Sequence, residues 1–369
     1  MHSKEYDAEP RRPRSRVLIA SLVLLAVAVA LLALSILENR RAISFFQDKN
    51  AFQMGSGSSP AYAAAGNGLA AATTEEIRLF SSRGKCVASA PVSLAEPACA
   101  ASPLLGAYYD VGRPGLLALY PDGAFRQTDT PGPVYFADVN ETGLVTVLLE
   151  KSGYKGSVMV YDTDLSPLFR WDAGSGYPVS ARCAGDDRLC VATVSGEGGA
   201  LHFFRIDREE EQATFAAPGE LFLDLGFLSD GTVAAVTEDR LCLVQPDGTL
   251  TGSHSLEGRH LDAWWLRGRF AAVATVTGRN GGSAVLSTLD SRGQLLGSST
   301  VPGSVRALSG AGDRLLALFE GREATLYSSA LEENVSCQPR EGTERVFLSA
   351  DGRAIFAGGS GAVQIDFER

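Results

Sequence analysis

The residues from Glu220 to Arg259, ELFLDLGFLSDGTVAAVTEDRLCLVQPDGTLTGSHSLEGR, contain four short runs that are rich in β-forming side chains. A turn at Ser229-Asp230-Gly231 separates the first run from the second, and Pro246-Asp247-Gly248 separates the third from the fourth. Asp-Gly turns suit β-hairpins because glycine accepts a positive φ without a steric penalty. The stretch therefore predicts four antiparallel strands joined by short connections.

This pattern repeats about every 40 residues, which is the spacing of β-propeller blades. The turn between the first and second run marks each repeat. It recurs at Gly66-Asn67-Gly68, near Pro103, at Asn140-Glu141-Thr142-Gly143, Gly185-Asp186-Asp187, Ser229-Asp230-Gly231, Arg267-Gly268-Arg269, Gly312-Asp313 and Ala350-Asp351-Gly352. Eight markers predict an all-β, eight-bladed β-propeller. A seven-bladed ring is the alternative, if the degenerate copy near Pro103 merges with its neighbour.

The last repeat contains only three runs, of which the third spans Ala362 to Phe367. An open sheet edge invites aggregation, so the ring needs a fourth, outer strand from elsewhere in the chain. Short apolar pieces within residues 42–54 could supply that strand. We therefore expect the segment before the propeller to complete the last blade.

An uncharged apolar segment, 17–37, precedes the predicted propeller. At about 1.5 Å per residue, a helix of this length spans roughly 31 Å, the thickness of a bilayer core. A cleaved signal peptide is the alternative, but no small-residue cleavage site clearly follows before Glu38-Asn39-Arg40-Arg41. We therefore expect a single transmembrane helix that stays attached to the protein.

More basic side chains lie before this span than after it, which predicts a cytoplasmic N-terminus and a propeller outside. The predicted divisions are a cytoplasmic tail (1–16), a transmembrane helix (17–37), a linker that can include the closing strand (38–59) and the β-propeller (60–369). The chain has a net charge of −10, and residues 1–16 contribute +2, so the remainder carries −12. Such an acidic surface repels phosphate backbones, so we expect no nucleic-acid partner.

The six cysteines follow the apolar segment, where an outside location permits disulfides. Cys183 and Cys190 flank a turn symmetrically and would lie opposite one another in a simple hairpin, at a separation that a disulfide accepts. Cys86 and Cys99 are a weaker second pair. Free, buried thiols are the alternative for both pairs. No CxxC spacing occurs, and the four histidines are not spaced with the cysteines as zinc ligands, so no metal site is predicted.

The first strand of each blade faces the axis of a propeller, where equivalent positions form a ring. Alignment of the repeats on their first turn places six side chains at or near one such position. These channel-lining candidates are Tyr135, Ser180, Asp224, Asp262, Arg306 and Arg345. The mixture of Asp and Arg predicts a polar channel whose charges pair around the ring. A small polar ligand or an ion at the channel mouth is the alternative to this structural role.

Trp264 and Trp265 are adjacent in one predicted strand, so their side chains point to opposite faces of the sheet. Packing between blades is the simpler interpretation, whereas an exposed Trp would mark a binding surface. No Gly-x-Ser-x-Gly elbow occurs in a strand-to-helix context, and the carboxylate pair Asp186-Asp187 lies in a turn. We therefore predict no catalytic residues and no cofactor.

The blade period and the N-terminal apolar segment together resemble single-pass bacterial membrane proteins that carry an extracytoplasmic, quinoprotein-like or WD40-like β-propeller of unknown function. Quinoprotein dehydrogenases commonly use an adjacent Cys pair beside their cofactor, and this chain has no such pair, so their activity is not implied. What the resemblance implies is a membrane-anchored module of the cell envelope. We expect it to bind or scaffold an envelope protein or polymer, without catalysis. A receptor or enzyme that binds a small polar ligand or metal ion at the channel mouth is the alternative.

Overall fold

The computed structural model describes residues 50–54, 57, 60–278, 282–321, 323–359 and 361–367. Its strands form eight four-stranded antiparallel sheets, so the predicted eight-bladed β-propeller is confirmed. In every sheet the strands lie in chain order from the axis outward, apart from one strand of the last blade. The eight turns used above as markers of the repeat each join the first and second strands of a blade, whereas Pro246-Asp247-Gly248 joins the third and fourth strands of blade 5.

The strands of the first four blades are β2 (Ala61–Ala65), β3 (Gly68–Ala72), β4 (Glu76–Phe80) and β5 (Cys86–Pro91) in blade 1; β6 (Pro97–Ala101), β7 (Gly106–Asp110), β8 (Leu116–Leu119) and β9 (Phe125–Thr128) in blade 2; β10 (Val134–Val139), β11 (Val145–Leu149), β12 (Gly156–Tyr161) and β13 (Pro167–Ala173) in blade 3; and β14 (Tyr177–Ala184), β15 (Arg188–Ser195), β16 (Gly198–Arg205) and β17 (Glu211–Pro218) in blade 4.

The remaining blades comprise β18 (Phe222–Phe227), β19 (Val233–Thr237), β20 (Arg240–Val244) and β21 (Leu250–Ser255) in blade 5; β22 (His260–Trp265), β23 (Ala271–Val276), β24 (Ser283–Leu289) and β25 (Leu295–Pro302) in blade 6; β26 (Val305–Ala311), β27 (Arg314–Phe319), β28 (Ala324–Ser328) and β29 (Glu333–Cys337) in blade 7; and β30 (Thr343–Leu348), β31 (Arg353–Gly358) and β32 (Gly361–Asp366) in blade 8, with β1 (Asn50–Phe52) as its outer strand.

The strand β1 closes the ring by pairing antiparallel with β32, so that Phe52 lies opposite Ala362. Phe52 is buried and makes an edge-to-face contact with Phe80 of blade 1, with ring centroids 5.5 Å apart. This closing strand lies within the segment 42–54 from which we expected it. The two ends of the propeller are therefore joined in one sheet.

The hydrophobic core consists of layers between neighbouring blades. The middle strands are buried throughout, as in β19, whereas the outer strands alternate between exposed and covered positions, as in β21. One layer joins Val236 and Leu241 of blade 5 to Ala271 and Val273 of blade 6. Because every blade is covered on both faces by its neighbours, the ring presents its turns, its outer strands and its axial channel to other molecules.

A β-bulge interrupts the inner strand of every blade from blade 3 to blade 8. In β10, for example, Val134 pairs with Leu149 and Phe136 pairs with Leu148, which leaves Tyr135 as the extra residue. The extra residues are Tyr135, Val179, Leu223, Asp262, Arg306 and Glu344. The inner strands of blades 1 and 2 pair with their neighbours without such a shift.

Both predicted disulfides are wrong, because all six cysteines are free. Cys183 pairs with Leu189, and Cys190 pairs with Arg182, since the connecting turn is one residue shorter than a symmetric hairpin would require. The two thiols therefore point to opposite faces of blade 4, into two different core layers. Cys86 lies on the outer strand of blade 1 and Cys99 on the inner strand of blade 2, too far apart in the ring to bond.

Among the described residues, no helix has the length and apolar character needed to cross a membrane. The predicted cytoplasmic tail (1–16) and transmembrane helix (17–37) lie outside those residues.

Candidate functional site in the channel and on the upper face

The six predicted channel residues occupy two successive positions of the inner strands. Tyr135, Asp262 and Arg306 are the extra residues of their bulges. Ser180, Asp224 and Arg345 each follow such an extra residue. When the sequence repeats are aligned on their first turn, these two positions fall in the same column, because the spacing between turns does not reveal where a strand contains a β-bulge.

The two sets differ in what their side chains do. Tyr135 is 52% exposed and donates its hydroxyl to Glu150 at 3.0 Å, away from the axis. Asp262 accepts the backbone N–H of Val305 at 2.5 Å, and Arg306 donates to the carbonyl of Thr343 at 3.4 Å. The bonds of Asp262 and Arg306 join neighbouring blades at the rim. Asp224 and Arg345, in contrast, line the channel itself.

The guanidinium of Arg182 lies at the centre of an ion network that spans three consecutive blades. It donates to Asp138 of blade 3 at 2.5 Å and to Asp224 of blade 5 at 3.1 Å. It also donates to the carbonyl of Leu225 at 2.5 Å and lies over the ring of Phe136. Arg182 thus bridges two carboxylates that would otherwise repel each other in a dry environment.

Three further donors bind the carboxylate of Asp224. Ser180 donates its hydroxyl at 2.7 Å, and the indole N–H of Trp264 donates at 3.1 Å. The backbone N–H of Leu225 adds a bond at 2.8 Å. The oxygens of this carboxylate therefore already accept bonds from four groups of the protein.

Arg267 extends the network across the channel. It follows the inner strand of blade 6 and pairs with Asp138 at the end of the inner strand of blade 3. The Asp138 side chain is only 9% exposed, whereas Arg267 is 42% exposed. The two arginines and two aspartates balance in charge, so the network as a whole is neutral.

The charges of the network hold both carboxyl groups ionised. Burial by itself would raise the pKa of Asp138, but the charges of Arg267 and Arg182 outweigh burial and lower it. Burial likewise opposes ionisation of Asp224, yet the charge of Arg182 and the hydrogen bonds from Trp264 and Ser180 lower its pKa. Burial also disfavours the charge of Arg182, but Asp138 and Asp224 raise its pKa.

The network lies between two cavities. The larger, of about 630 Å³, is lined by residues from the first part of the inner strands, such as Tyr62, Phe136 and Arg345. The smaller, of about 340 Å³, is lined by the turns that follow the inner strands, such as Asn140 and Gly185. We call the end of the ring where the inner strands begin the upper face, and the opposite end the lower face. Asp138, Arg182 and Arg267 line both cavities and separate them.

Trp264 and Trp265 are half-buried and do not form an exposed rim. Trp264 packs into the layer between blades 5 and 6, and Trp265 into the layer between blades 6 and 7, where its indole lies against Gly310. These positions are compatible with the predicted packing role. Both side chains also line the larger cavity.

The upper face carries a patch of large apolar side chains that the sequence analysis did not single out. Tyr135, Tyr154 and Tyr177 are each about half exposed, and Leu221 and Leu223 are exposed to 43% and 44%. All five lie in blades 3, 4 and 5, at the start of an inner strand or in the turn between second and third strands. Lys155 connects two of these blades, since its ammonium lies 4.9 Å from the centre of the Tyr177 ring.

Acidic side chains surround this upper-face patch. Glu150, Glu197, Glu238 and Asp239 are exposed in the turns of the same three blades. Large apolar residues at the start of predicted inner strands and in the turns beside them are the signal from which the patch could have been found.

One hydrogen-bonded chain elsewhere in blade 4 has the order of a catalytic triad. The hydroxyl of Thr193 lies 3.0 Å from Nε2 of His202, and Nδ1 of His202 lies 2.9 Å from Glu211. Thr193 is only 3% exposed, however, and the ring of His202 stacks on Trp171. A nucleophile must reach its substrate, so this geometry favours a structural link between strands β15, β16 and β17.

Metal ligands do not converge in the described part of the chain, where no group of three or more His, Cys, Asp or Glu side chains could hold an ion. The neutral network of Asp138, Arg182, Asp224 and Arg267 is instead suited to hold the channel in one conformation.

Solved structures that share this fold share little sequence with the chain. The computationally designed Ika8 protein has a TM-score of 0.69 at 12% identity, over 87% of this chain and 100% of its own. The C-terminal WD40 domain of Sif2 has a TM-score of 0.64 at 11% identity, over 89% and 99%. BamB from Moraxella catarrhalis has a TM-score of 0.56 at 12% identity, over 84% and 94%. At these identities the likeness supports the fold alone.

No curated protein sequence matches the chain significantly. A family model does match, over residues 43–360, which cover the closing strand and nearly all of the propeller. The chain therefore belongs to the family of unknown function DUF5711.

Proposed function

We propose that this protein is a membrane-tethered β-propeller outside the cytoplasm that binds an envelope protein through its upper face and performs no chemistry itself. The observation that carries the proposal is the upper-face patch of Tyr135, Tyr154, Tyr177, Leu221 and Leu223. Exposed apolar clusters rimmed by polar groups mark interaction sites, and Tyr is enriched among side chains that dominate binding energy.

The surroundings of the patch indicate the chemistry of the partner. Glu150, Glu197, Glu238 and Asp239 place negative charge around the apolar side chains, while Lys155 is held over the Tyr177 ring. A segment with apolar side chains flanked by Lys or Arg would complement this surface. The rigid ring supports the proposal, because little ordering of the propeller would oppose binding.

Capture after cross-linking in cells tests this proposal. The protein would be compared with a Tyr177→Ser/Leu221→Ser variant and with a control variant, Leu295→Ser/Leu296→Ser, which alters two exposed leucines on the outer strand of blade 6. We expect one partner to be captured by the unaltered protein and by the control, and its purified form to bind the patch variant at least about tenfold more weakly. Equal binding by all three proteins would contradict the proposal.

The proposed location of the propeller, outside the cytoplasmic membrane, requires a separate test. Cys86 is exposed on the outer strand of blade 1, so a thiol reagent that cannot cross the cytoplasmic membrane should label it in intact cells. Membrane fractions would contain the labelled protein if segment 17–37 anchors it. Labelling only after lysis would place the propeller in the cytoplasm and contradict this part of the proposal.

A further inference from the structure

The larger channel cavity is lined in part by two inner strands that are rich in alanine. Strand β2 reads AYAAA and strand β6 reads PACAA, and residues of both line the cavity. A side chain of one carbon cannot reach the axis, whereas aromatic side chains of other blades can. The resulting space, about 630 Å³, lies within the range of small-molecule sites.

Aromatic side chains of three other blades form further parts of the cavity wall. Phe136 of blade 3, Trp264 and Trp265 of blade 6, and Phe347 of blade 8 all line the cavity. A flat apolar group placed there would contact aromatic faces and edges, which favour such rings beyond the area they bury. The wall thus selects an occupant with an apolar, preferably aromatic, body.

The charged residues that line the cavity indicate which polar group a bound molecule would carry. Asp138, Arg182, Asp224 and Arg267 neutralise one another, and Asp224 already accepts bonds from four groups of the protein. Arg345 is the fifth charged residue of the lining, and within the described chain its guanidinium has no ion pair or hydrogen bond. It lies close enough to Cys99 for its charge to lower the pKa of that thiol, although burial dominates and raises the pKa to about 12. Arg345 is thus an exposed cation in the cavity lining, on the inner strand of blade 8.

We propose that the larger cavity binds a small carboxylate with an aromatic body, held by Arg345 at its carboxylate and by Trp264 and Phe136 at its ring. A guanidinium binds a carboxylate with two parallel hydrogen bonds, which gives both affinity and orientation. This site is separate from the upper-face patch, since none of the five patch residues lines the cavity. The inference thus goes beyond the proposed partner binding, and either could fail without the other.

Three probes that share a phenylethyl body and carry a negative, neutral or positive head group test the assignment: 3-phenylpropionate, its amide and 3-phenylpropylamine. Binding would be followed by calorimetry and by tryptophan fluorescence, since two of the three tryptophans line the cavity. We expect the carboxylate to bind at least about tenfold more tightly than the amide, and the amine to bind least.

Two variants and one control locate the site. Arg345→Gln should remove the preference for the carboxylate over the amide, whereas Ala98→Phe should fill the cavity and weaken binding of both. Arg306→Gln is the control, because Arg306 is exposed in the neighbouring blade and does not line the cavity. Thermal melting would show that each variant is folded. Absence of binding by every probe, equal affinity for carboxylate and amide, or an unchanged preference in Arg345→Gln would each overturn the proposal.

Discussion

Arg267 and Asp138 form an ion pair across the central channel, although they belong to blades 6 and 3, which are not neighbours in the ring. Asp138 is also bound by Arg182 of blade 4, which in turn binds Asp224 of blade 5. Four consecutive blades are thus connected through side chains near the lower face, independently of the apolar layers between them.

Replacement of Arg182 by Met should be among the most damaging single changes to this network. The variant leaves Asp138 and Asp224 buried close together without their shared cation, a situation that costs about 3–5 kcal/mol of unfolding free energy. Arg205→Met is the matched control, because Arg205 pairs with Asp187 and Asp207 on the surface. Urea denaturation should show a clearly lower midpoint for Arg182→Met and no measurable change for the control. Similar midpoints would mean that the network does not stabilise the ring.

The stability of the protein should also fall in acid because of these two carboxyl groups. Their pKa values are lower in the folded protein than the ordinary value of 3.8. The stabilisation is therefore complete above the ordinary value and is lost as the pH falls through the folded values. Denaturation measured at a series of pH values should show this decline.

The Arg182→Met variant provides the control for the acid effect. Without the arginine, both carboxyl groups lose a neighbouring positive charge, so their pKa values should rise and less stabilisation should remain to be lost in acid. Arg267 still pairs with Asp138 in the variant. The same acid dependence in both proteins would show that other groups are responsible.

Removal of the closing strand should destabilise the last blade. The change Phe52→Ala removes the buried contact with Phe80 and should cost about 3 kcal/mol. A chain that begins at Pro60 lacks β1 entirely and should melt at a lower temperature than one that begins at Arg40. Ala51→Ser is the control, since Ala51 is exposed on the same strand. Equal melting temperatures for the two chains would contradict a stabilising role for β1.

The thiols should react in a pattern set by burial. Alkylation of the unfolded protein without a reducing agent should add six groups, because all six cysteines are free. In the folded protein Cys86 should react first, since it is exposed. Burial raises the pKa of Cys183 and of Cys337 to about 12, so these thiols stay protonated and unreactive. A mass deficit of two hydrogens in the unfolded protein would instead reveal a disulfide.

The number of blades could be predicted from the sequence because tight turns favour particular residues, above all glycine. Gly231 and Gly248 of the stretch quoted first both have a positive φ, at 90° and 83°. A β-bulge has no such residue preference here, since its extra residue is Tyr135 in one strand, Asp262 in another and Arg306 in a third. The predicted axial ring was therefore shifted by one residue in half of its members.

The ion network was partly predictable and partly not. Asp138 lies two residues beyond Phe136, and Arg182 lies two residues beyond Ser180, so the period of a strand places each pair on one side of its strand. Arg267 follows its strand in a turn, and only the closed ring brings it opposite Asp138. The disulfide interpretation of Cys183 and Cys190 failed for a related reason, because a turn shorter by one residue reverses the face on which Cys190 lies.

The closing strand also imposes an order on synthesis and folding. Strand β1 is among the first parts of the propeller to leave the ribosome, yet its partner β32 is among the last. Blades 1 to 7 each consist of four consecutive strands and can form as the chain emerges, whereas blade 8 must wait until both of its distant parts exist. Until then the backbone groups of β1 have no partner within the sheet that they will complete. Ring closure is therefore a late folding event, and a chain that stops before Gly361 would leave the ring open.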